Sequence, residues 1–505
     1  MTSILRILSA TLALSLLAAT ASAQTHLRIG LGDDPDALDP TTSRFYTTRI
    51  VLAAVCDKLF DIDEKGNIVP QLALGQETSP DGKTVTIKLR PGVKFHDGEA
   101  FDAAAAKASL DRHLTMKGSF RKPEIGVIDS VEVVDPLTIK LNLKQPFSPL
   151  IAQLTDRAGM MMATKAMESA ADKFGLHPVC AGPYKFVERV QQDRIVVEKF
   201  ADYWNKDNVF IDRITYLPIT DSTIRLANLR SGGLDMMERL LATDIKTVRN
   251  DPKLKLSKAV SLGWFGLLVN VANGPKSDNA LGKDPRVRRA LELSLDREVI
   301  NQVVYNGEFV PGNQWVNPQS PYYQEKFPIP KRDVAKAKAL LKEAGVKTPF
   351  AVDFLVNNTS DTKAVAEVVQ AMAAEAGFDI KLRVVEPATA LKTAEDGDFQ
   401  LYENTWSGRV DPDGNSVLYQ MCGSPLNTGR YCDKEIDDLH AQARATSDVA
   451  KRKAIYEKMT ERFLATGWII YLYHPQYLIA QTVKVEGFRP YPDGLIRVVG
   501  VKLKP

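Results

Sequence analysis

The chain lacks the short patterns that mark common catalytic centres. No Gly-x-Ser-x-Gly elbow, His-Glu-x-x-His pair or Gly-x4-Gly-Lys-[Ser/Thr] phosphate loop occurs in its 505 residues, so nothing points to the nucleophile, zinc or nucleotide sites those spacings build. Histidine is scarce: there are six, no two at helical ligand spacing, and no His/Cys cluster supports a metal centre. Asp61–Asn67 (DIDEKGN) imitates a calcium loop, but Lys65 takes a ligand position and the later bidentate Glu is missing. An excess of charge is missing as well. With 65 basic against 62 acidic side chains and a formal net charge of +3, neither nucleic acid nor an anionic membrane is an expected partner. After residue 19 no apolar run reaches spanning length. Repeats and low-complexity tracts are absent too.

What is present begins with MTSILRILSATLALSLLAATASAQ. Arg6 precedes an apolar run from Ile7 to Ala19, and Ala21-Ser22-Ala23 is a small-residue cleavage site. Residues 1–23 are expected to be a secretory signal peptide, too short to read as a spanning helix, and the mature chain to be periplasmic. Disulfides persist in that compartment. Cys422 and Cys432 lie close together and Cys56 and Cys180 far apart. The expected pairs are Cys56–Cys180 and Cys422–Cys432, although four cysteines allow three connectivities and the first pair can also be read as free buried thiols.

The mature length suggests two to four domain-sized units. In the second half, Asp284 caps and Pro285 starts a helix running through VRRALELSLDREVI. An apolar strand at 350–356, a helix at 362–376 stopped by Gly377 and a strand at 380–385 form a βαβ crossover, with 399–404 as a further strand.

The most informative stretch is Ser79–Ala100. Val85, Ile87 and Leu89 alternate with polar residues between two turns, Ser-Pro-Asp-Gly and Pro91-Gly92. LRPGVKFHDG, preceded by NIVPQLALGQETSPDGKTVTIK, closely resembles the signature of the bacterial extracellular solute-binding proteins of family 5, the peptide/nickel class that feeds ABC importers. The resemblance continues through CAGPYKFVERV, DYWN, DSTIRLANLRSGGLDMM, DPRVRRALELSLDREVI, DVAKAKALLKEAG and WSGRVDPDGN. It implies an α/β, two-lobed periplasmic-binding-protein fold (class II type, cluster C) with an extra β-rich domain inserted in the first lobe. Transferred onto this chain, lobe 1 is 24–42, 181–268 and 478–505, the inserted domain is 43–180, and lobe 2 is 269–477. The implied activity is capture of a small peptide, or of a peptide-like or carboxylate-bearing solute, and its delivery to membrane permease subunits. No cofactor, metal or catalysis is implied, and a monomer is expected. The rival reading is a secreted hydrolase acting on peptides.

A parallel sheet binds ligands beyond the carboxyl ends of its strands. Thr405–Asn415 follows such an end, so Trp406 is expected as an apolar wall, Arg409 as a grip for a carboxylate, and Asp411 or Asp413 as acceptors for an ammonium. Internal pairing of Arg409 with Asp411 or Asp413 is the competing reading. In dipeptide-binding relatives an aspartate sits where this chain has Arg409, which implies a different preferred ligand end. Further candidates are Trp264, with core packing as its alternative, and Arg44, Phe45 and Tyr46. Asp156-Arg157 reads as cleft-facing or as a local ion pair, and His96-Asp97 as turn structure.

Overall fold

A computed structural model describes residues 24–504; the expected signal peptide lies outside them. The alternating apolar residues of the first strand, His26–Leu31, bury Leu27, Ile29 and Leu31. This strand runs parallel to Arg213–Pro218 and Met236–Met237, at the heart of a seven-stranded sheet. Its remaining strands are antiparallel additions: Arg194–Lys199 and Tyr184–Val190 on one side, Gln476–Thr482 and Leu254–Val260 on the other. A six-stranded sheet forms the second lobe, in the order Val310–Pro311, Ile469–His474, Trp264–Val269, Leu401–Trp406, Phe350–Asn357 and Phe378–Val385. The βαβ crossover is present, with Phe350–Asn357 parallel to Phe378–Val385 around the helix Ser360–Ala376. A four-stranded antiparallel sheet (Ala73–Thr78, Thr84–Leu89, Thr138–Leu143, Ile128–Asp135) carries the signature stretch. Val85, Ile87 and Leu89 pack there against the helix Ala103–Thr115, whose start Asp102 caps.

The chain crosses between the two large sheets twice. One crossing is Ser261–Gly263, between strands of different sheets, and the other is the single residue Pro475. Trp264–Val269, expected in the first lobe, is hydrogen-bonded into the sheet of the second. The helix Tyr46–Val55, expected in the inserted domain, packs beneath the seven-stranded sheet. Its apolar residues Ile50, Val51, Ala54 and Val55 match that core.

The segment after Pro285 forms two helices, Pro285–Ser294 and Arg297–Tyr305. Leu295 is extended, and Asp296 caps the second helix by accepting from the Val299 N–H, a local bond that outcompetes helix continuation. Cys56–Cys180 and Cys422–Cys432 are bonded, with S–S distances of 2.06 and 2.03 Å.

Candidate functional site

The strands of both sheets aim their carboxyl ends at one cavity of about 420 Å³. Gly32 and Asp33 follow the first strand, Thr220 follows Arg213–Pro218, and Arg239 follows Met236–Met237. From the other lobe come Thr359 after Phe350–Asn357 and Ser407 after Leu401–Trp406. The cavity thus lies where strand carboxyl ends of both lobes meet, the place at which α/β sheets bind ligands.

Aromatic side chains form much of the wall. Trp406 is held by its Nε1, which donates to the Gly414 carbonyl at 3.0 Å, and by an edge contact with Tyr419. Tyr46 stacks on Tyr477 at 5.5 Å between ring centres, and its hydroxyl donates to the Gly494 carbonyl at 2.5 Å. Phe45 and Arg44 precede it on the same wall. Asp36 accepts from the Arg44 N–H and the Thr48 hydroxyl, which fixes the start of that helix. Arg44 itself lies over the Phe120 ring and pairs with Glu395 of the second lobe at 2.7 Å.

Behind this wall is a dense charged cluster. Arg49, Arg121, Arg157 and Arg409 are each at most 5 % exposed; Asp156 and Glu124 are the carboxylates paired with them, and Asp493, itself paired with Arg497, also acts on Arg49. Arg121 grips Glu124 with both its oxygens in reach, at 2.8 and 3.1 Å. Asp156 sits between Arg49 of its own lobe at 3.1 Å and Arg409 of the other lobe at 2.7 Å. The Arg409 contact is an ion pair without a well-directed N–H, since Asp156 Oδ2 receives no aligned donor. Burial opposes ionisation of Asp156, yet Arg409, then Arg49 and Arg157, hold its carboxyl well below the usual range. Burial, then Arg121, push Arg157 well down from the ordinary guanidinium value. Arg121, Glu124 and Arg157 line the cavity, and the Nε atoms of both arginines are buried without acceptors.

The expected site residues separate into two groups. Trp406, Arg44, Phe45 and Tyr46 line the cavity. Arg409, Asp411, Asp413 and Trp264 do not. Arg409 turns to Asp156 rather than to either neighbouring aspartate, because Asn415 clamps its backbone from both sides (N–H at 2.6 Å, carbonyl at 3.0 Å). Asp411 is taken by Arg452 and Asp413 by Arg444. Trp264 is fully buried in the core between Tyr419 and Tyr471, its Nε1 bonded to the Asn415 carbonyl. His96 donates from Nε2 to the Gly182 carbonyl and accepts at Nδ1 from the Cys180 N–H, and Asp97 accepts from the Glu99 N–H.

Arg121, Arg157, Arg239 and Asp361 also line the cavity. Asp361 had a readable signal: it opens a helix directly after a strand of the parallel unit, the position that drew attention to Trp406. Glu403 lies behind the same wall, fully buried, with Oε2 accepting from the Asn357 N–H at 3.3 Å. Burial raises its carboxyl to about 8, with Asp361 adding to the rise. Among the described residues no group of three His, Cys, Asp or Glu side chains is placed to hold a metal, and no helix is long and apolar enough to cross a membrane.

Comparison with known proteins agrees with this architecture. Residues 67–428 match the family model of the bacterial extracellular solute-binding proteins, family 5 middle. The glutathione-binding protein GsiB of Pectobacterium atrosepticum is 30% identical over 480 residues, covering 92% of each chain. The PBP AgaA of A. tumefaciens R10, solved with agropinic acid, superposes with a TM-score of 0.85 at 29% identity, covering 95% of this chain and 99% of that one. A dipeptide-binding protein of Pseudoalteromonas sp. SM9913 in complex with Met-Leu shares the fold, with a TM-score of 0.88 at 21% identity, over 95% of this chain and 100% of that one. The chain belongs to the bacterial extracellular solute-binding proteins of family 5.

Proposed function

We propose that this protein is the periplasmic receptor of an ABC importer and that its cargo is a small peptide-like solute bearing at least one carboxylate. The observation that carries this reading is that two buried guanidiniums, Arg121 and Arg157, line the cavity there with one carboxylate, Glu124, while Arg49, Arg409 and Asp156 stand behind them. A buried cation without a counter-charge is costly, and an incoming carboxylate offsets that cost bidentately. Trp406, Tyr46 and Tyr477 supply the apolar contact that a peptide-like backbone needs. Arg44 joins the same cationic wall from the first lobe. The receptor works by closing its lobes over the solute and presenting the closed form to permease subunits, as a monomer that performs no chemistry. Its export by a cleavable leader predicts a mature N-terminus at Gln24.

The test is calorimetry on the mature protein with glutathione, whose two carboxylates and peptide length fit the cavity's character. Arg121→Gln and Arg157→Gln are each expected to weaken binding by about tenfold or more, the worth of a charge-assisted contact. Unchanged affinity in both variants refutes the carboxylate site. Recovery of cleaved solute after incubation refutes the receptor reading in favour of a hydrolase.

A further inference from the structure

The turn that opens the signature stretch has no place in the cavity wall, but it braces a contact between the lobes. Gly82 takes a left-handed φ of 69° and lies flat against Pro146; a Cβ added there would stand 3.1 Å from the proline Cβ. Pro146 and Pro149 stiffen the short loop between them, which carries Phe147 and Ser148. Ser148 hydrogen-bonds the second lobe twice. Its N–H donates to the Arg444 carbonyl at 2.8 Å, and its hydroxyl donates to the Thr446 carbonyl at 3.1 Å.

Arg444 lies in the last turn of the helix Lys434–Ala445 and Thr446 is its C-cap, where main-chain acceptors run out of intrahelical donors. Thr446 serves two of these acceptors itself. Its hydroxyl donates to the Gln442 carbonyl at 2.8 Å and its N–H to the Ala443 carbonyl at 3.3 Å. The Arg444 and Thr446 carbonyls take their donors from Ser148, so the end of a helix in one lobe is capped by the other. Phe147 adds a second, independent contact. It is 7 % exposed, and the Arg444 guanidinium lies over its ring at 5.2 Å. Asp413 holds that guanidinium in place with two bonds, at 2.6 and 3.1 Å. None of Phe147, Ser148, Arg444 and Thr446 lines the 420 Å³ cavity.

We infer that the loop Pro146–Pro149 is a latch, carried by the four-stranded β-rich unit and closing on a helix end of the second lobe, which sets how long cargo is held without touching it. This rests on the receptor reading, since a latch matters only where the lobes part. Its bonds form once the two surfaces have met and must break before they separate. Capture therefore proceeds at its own rate, and the latch acts on release. The β-rich unit thereby gains a role of its own: it supplies closing contacts that are indifferent to the identity of the cargo.

The experiment follows single molecules of the mature protein by energy transfer between a dye on each lobe, with and without glutathione. Ser148→Ala deletes the hydroxyl contact and keeps the main-chain one. The closed dwell time should shorten about threefold or more, with the closing rate within about twofold of the wild type. Ser148→Thr retains a hydroxyl and should restore most of the dwell, and circular dichroism confirms that each variant is folded. An unchanged dwell in Ser148→Ala overturns the latch while leaving the receptor reading intact. A Ser148→Thr dwell as short as that of Ser148→Ala also overturns it. A wild type with one fixed distance between the lobes, with or without glutathione, defeats lobe closure and the latch together.

Discussion

Asp156→Asn isolates the electrostatic contribution to lobe closure. The ion pairs that link the lobes include Arg44–Glu395, Asp156–Arg409 and, on Glu308 of the second lobe, Lys258 at 2.9 Å and Arg249 at 3.8 Å. Arg44–Glu395 is partly exposed on both sides, at 20% and 34%, and such a pair contributes about 1 kcal/mol or less. Asp156–Arg409 is buried on both sides, at 3% and 5%. Arg49 and Arg157 belong to the same lobe as Asp156 while Arg409 belongs to the other, and Arg49 also reaches across to the Ser407 hydroxyl at 2.9 Å. In the variant, Arg409 still loses its water but meets an uncharged amide among three other guanidiniums. Removing one partner of a buried pair costs about 3–5 kcal/mol; at the lower figure the closed-to-open ratio falls roughly a hundredfold. Asparagine keeps the local role of Asp156, whose Oδ1 accepts from the Arg157 N–H at 2.7 Å, but it also leaves buried Arg49 without its carboxylate, so the melting point should fall as well. Single-molecule energy transfer between a dye on each lobe reads the ratio directly in solute-free protein. A ratio within about threefold of the wild type would falsify the view that this pair holds the lobes together.

Three further outcomes follow from the packing and the charges. Gly263→Ala places a Cβ 1.7 Å from the Trp406 carbonyl oxygen at the first crossing, so a chemical melt should show about 1–3 kcal/mol of lost stability; an unchanged midpoint contradicts the tight crossing. Glu403 holds a raised carboxyl value of about 8, so its contribution is fully present below the unfolded value of about 4.3 and is lost as pH rises toward 8. Glu403→Gln should therefore match the wild type near pH 4.5 and exceed it progressively up to pH 8, by about 1.4 kcal/mol per pH unit at most; parallel stability curves rule this out. Replacing both Cys56 and Cys180 by alanine, which opens a span of 124 residues, should cost more than replacing Cys422 and Cys432, separated by 10. The chain-entropy difference is about 2 kcal/mol, and the reverse order in urea melts refutes that account.

Elements whose cause is local were readable from the residues. The period-two pattern of 84–89, the Asp284 cap and the Gly377 stop all lie where the pattern puts them. The single helix expected from Pro285 failed because Asp296 serves as a cap inside an otherwise helical pattern. The cavity wall was legible at Trp406, where position at the carboxyl end of a strand decides the outcome. It was not legible where the partner is remote. Asp411 meets Arg452 and Asp413 meets Arg444, 41 and 31 residues away, and Arg409 meets Asp156 across the lobes. Local spacing assigns a turn aspartate to its nearest arginine, but three-dimensional proximity assigned these elsewhere. Trp264 shows the same limit, since nothing in SLGWFGLLVN distinguishes a cleft wall from the face packed on Tyr471.

Each sulfur bridge stays within its own side of the mouth. Cys56 and Cys180 belong to the core under the seven-stranded sheet, and Cys422 and Cys432 flank a loop that leads into the helix Lys434–Ala445 of the second lobe. Neither staple therefore limits how widely the molecule gapes; that freedom is set by two thin main-chain straps at 261–263 and 475. A reducing agent should slacken each half separately while leaving the swing between them untouched, so oxidation state and cargo capture can be tuned independently.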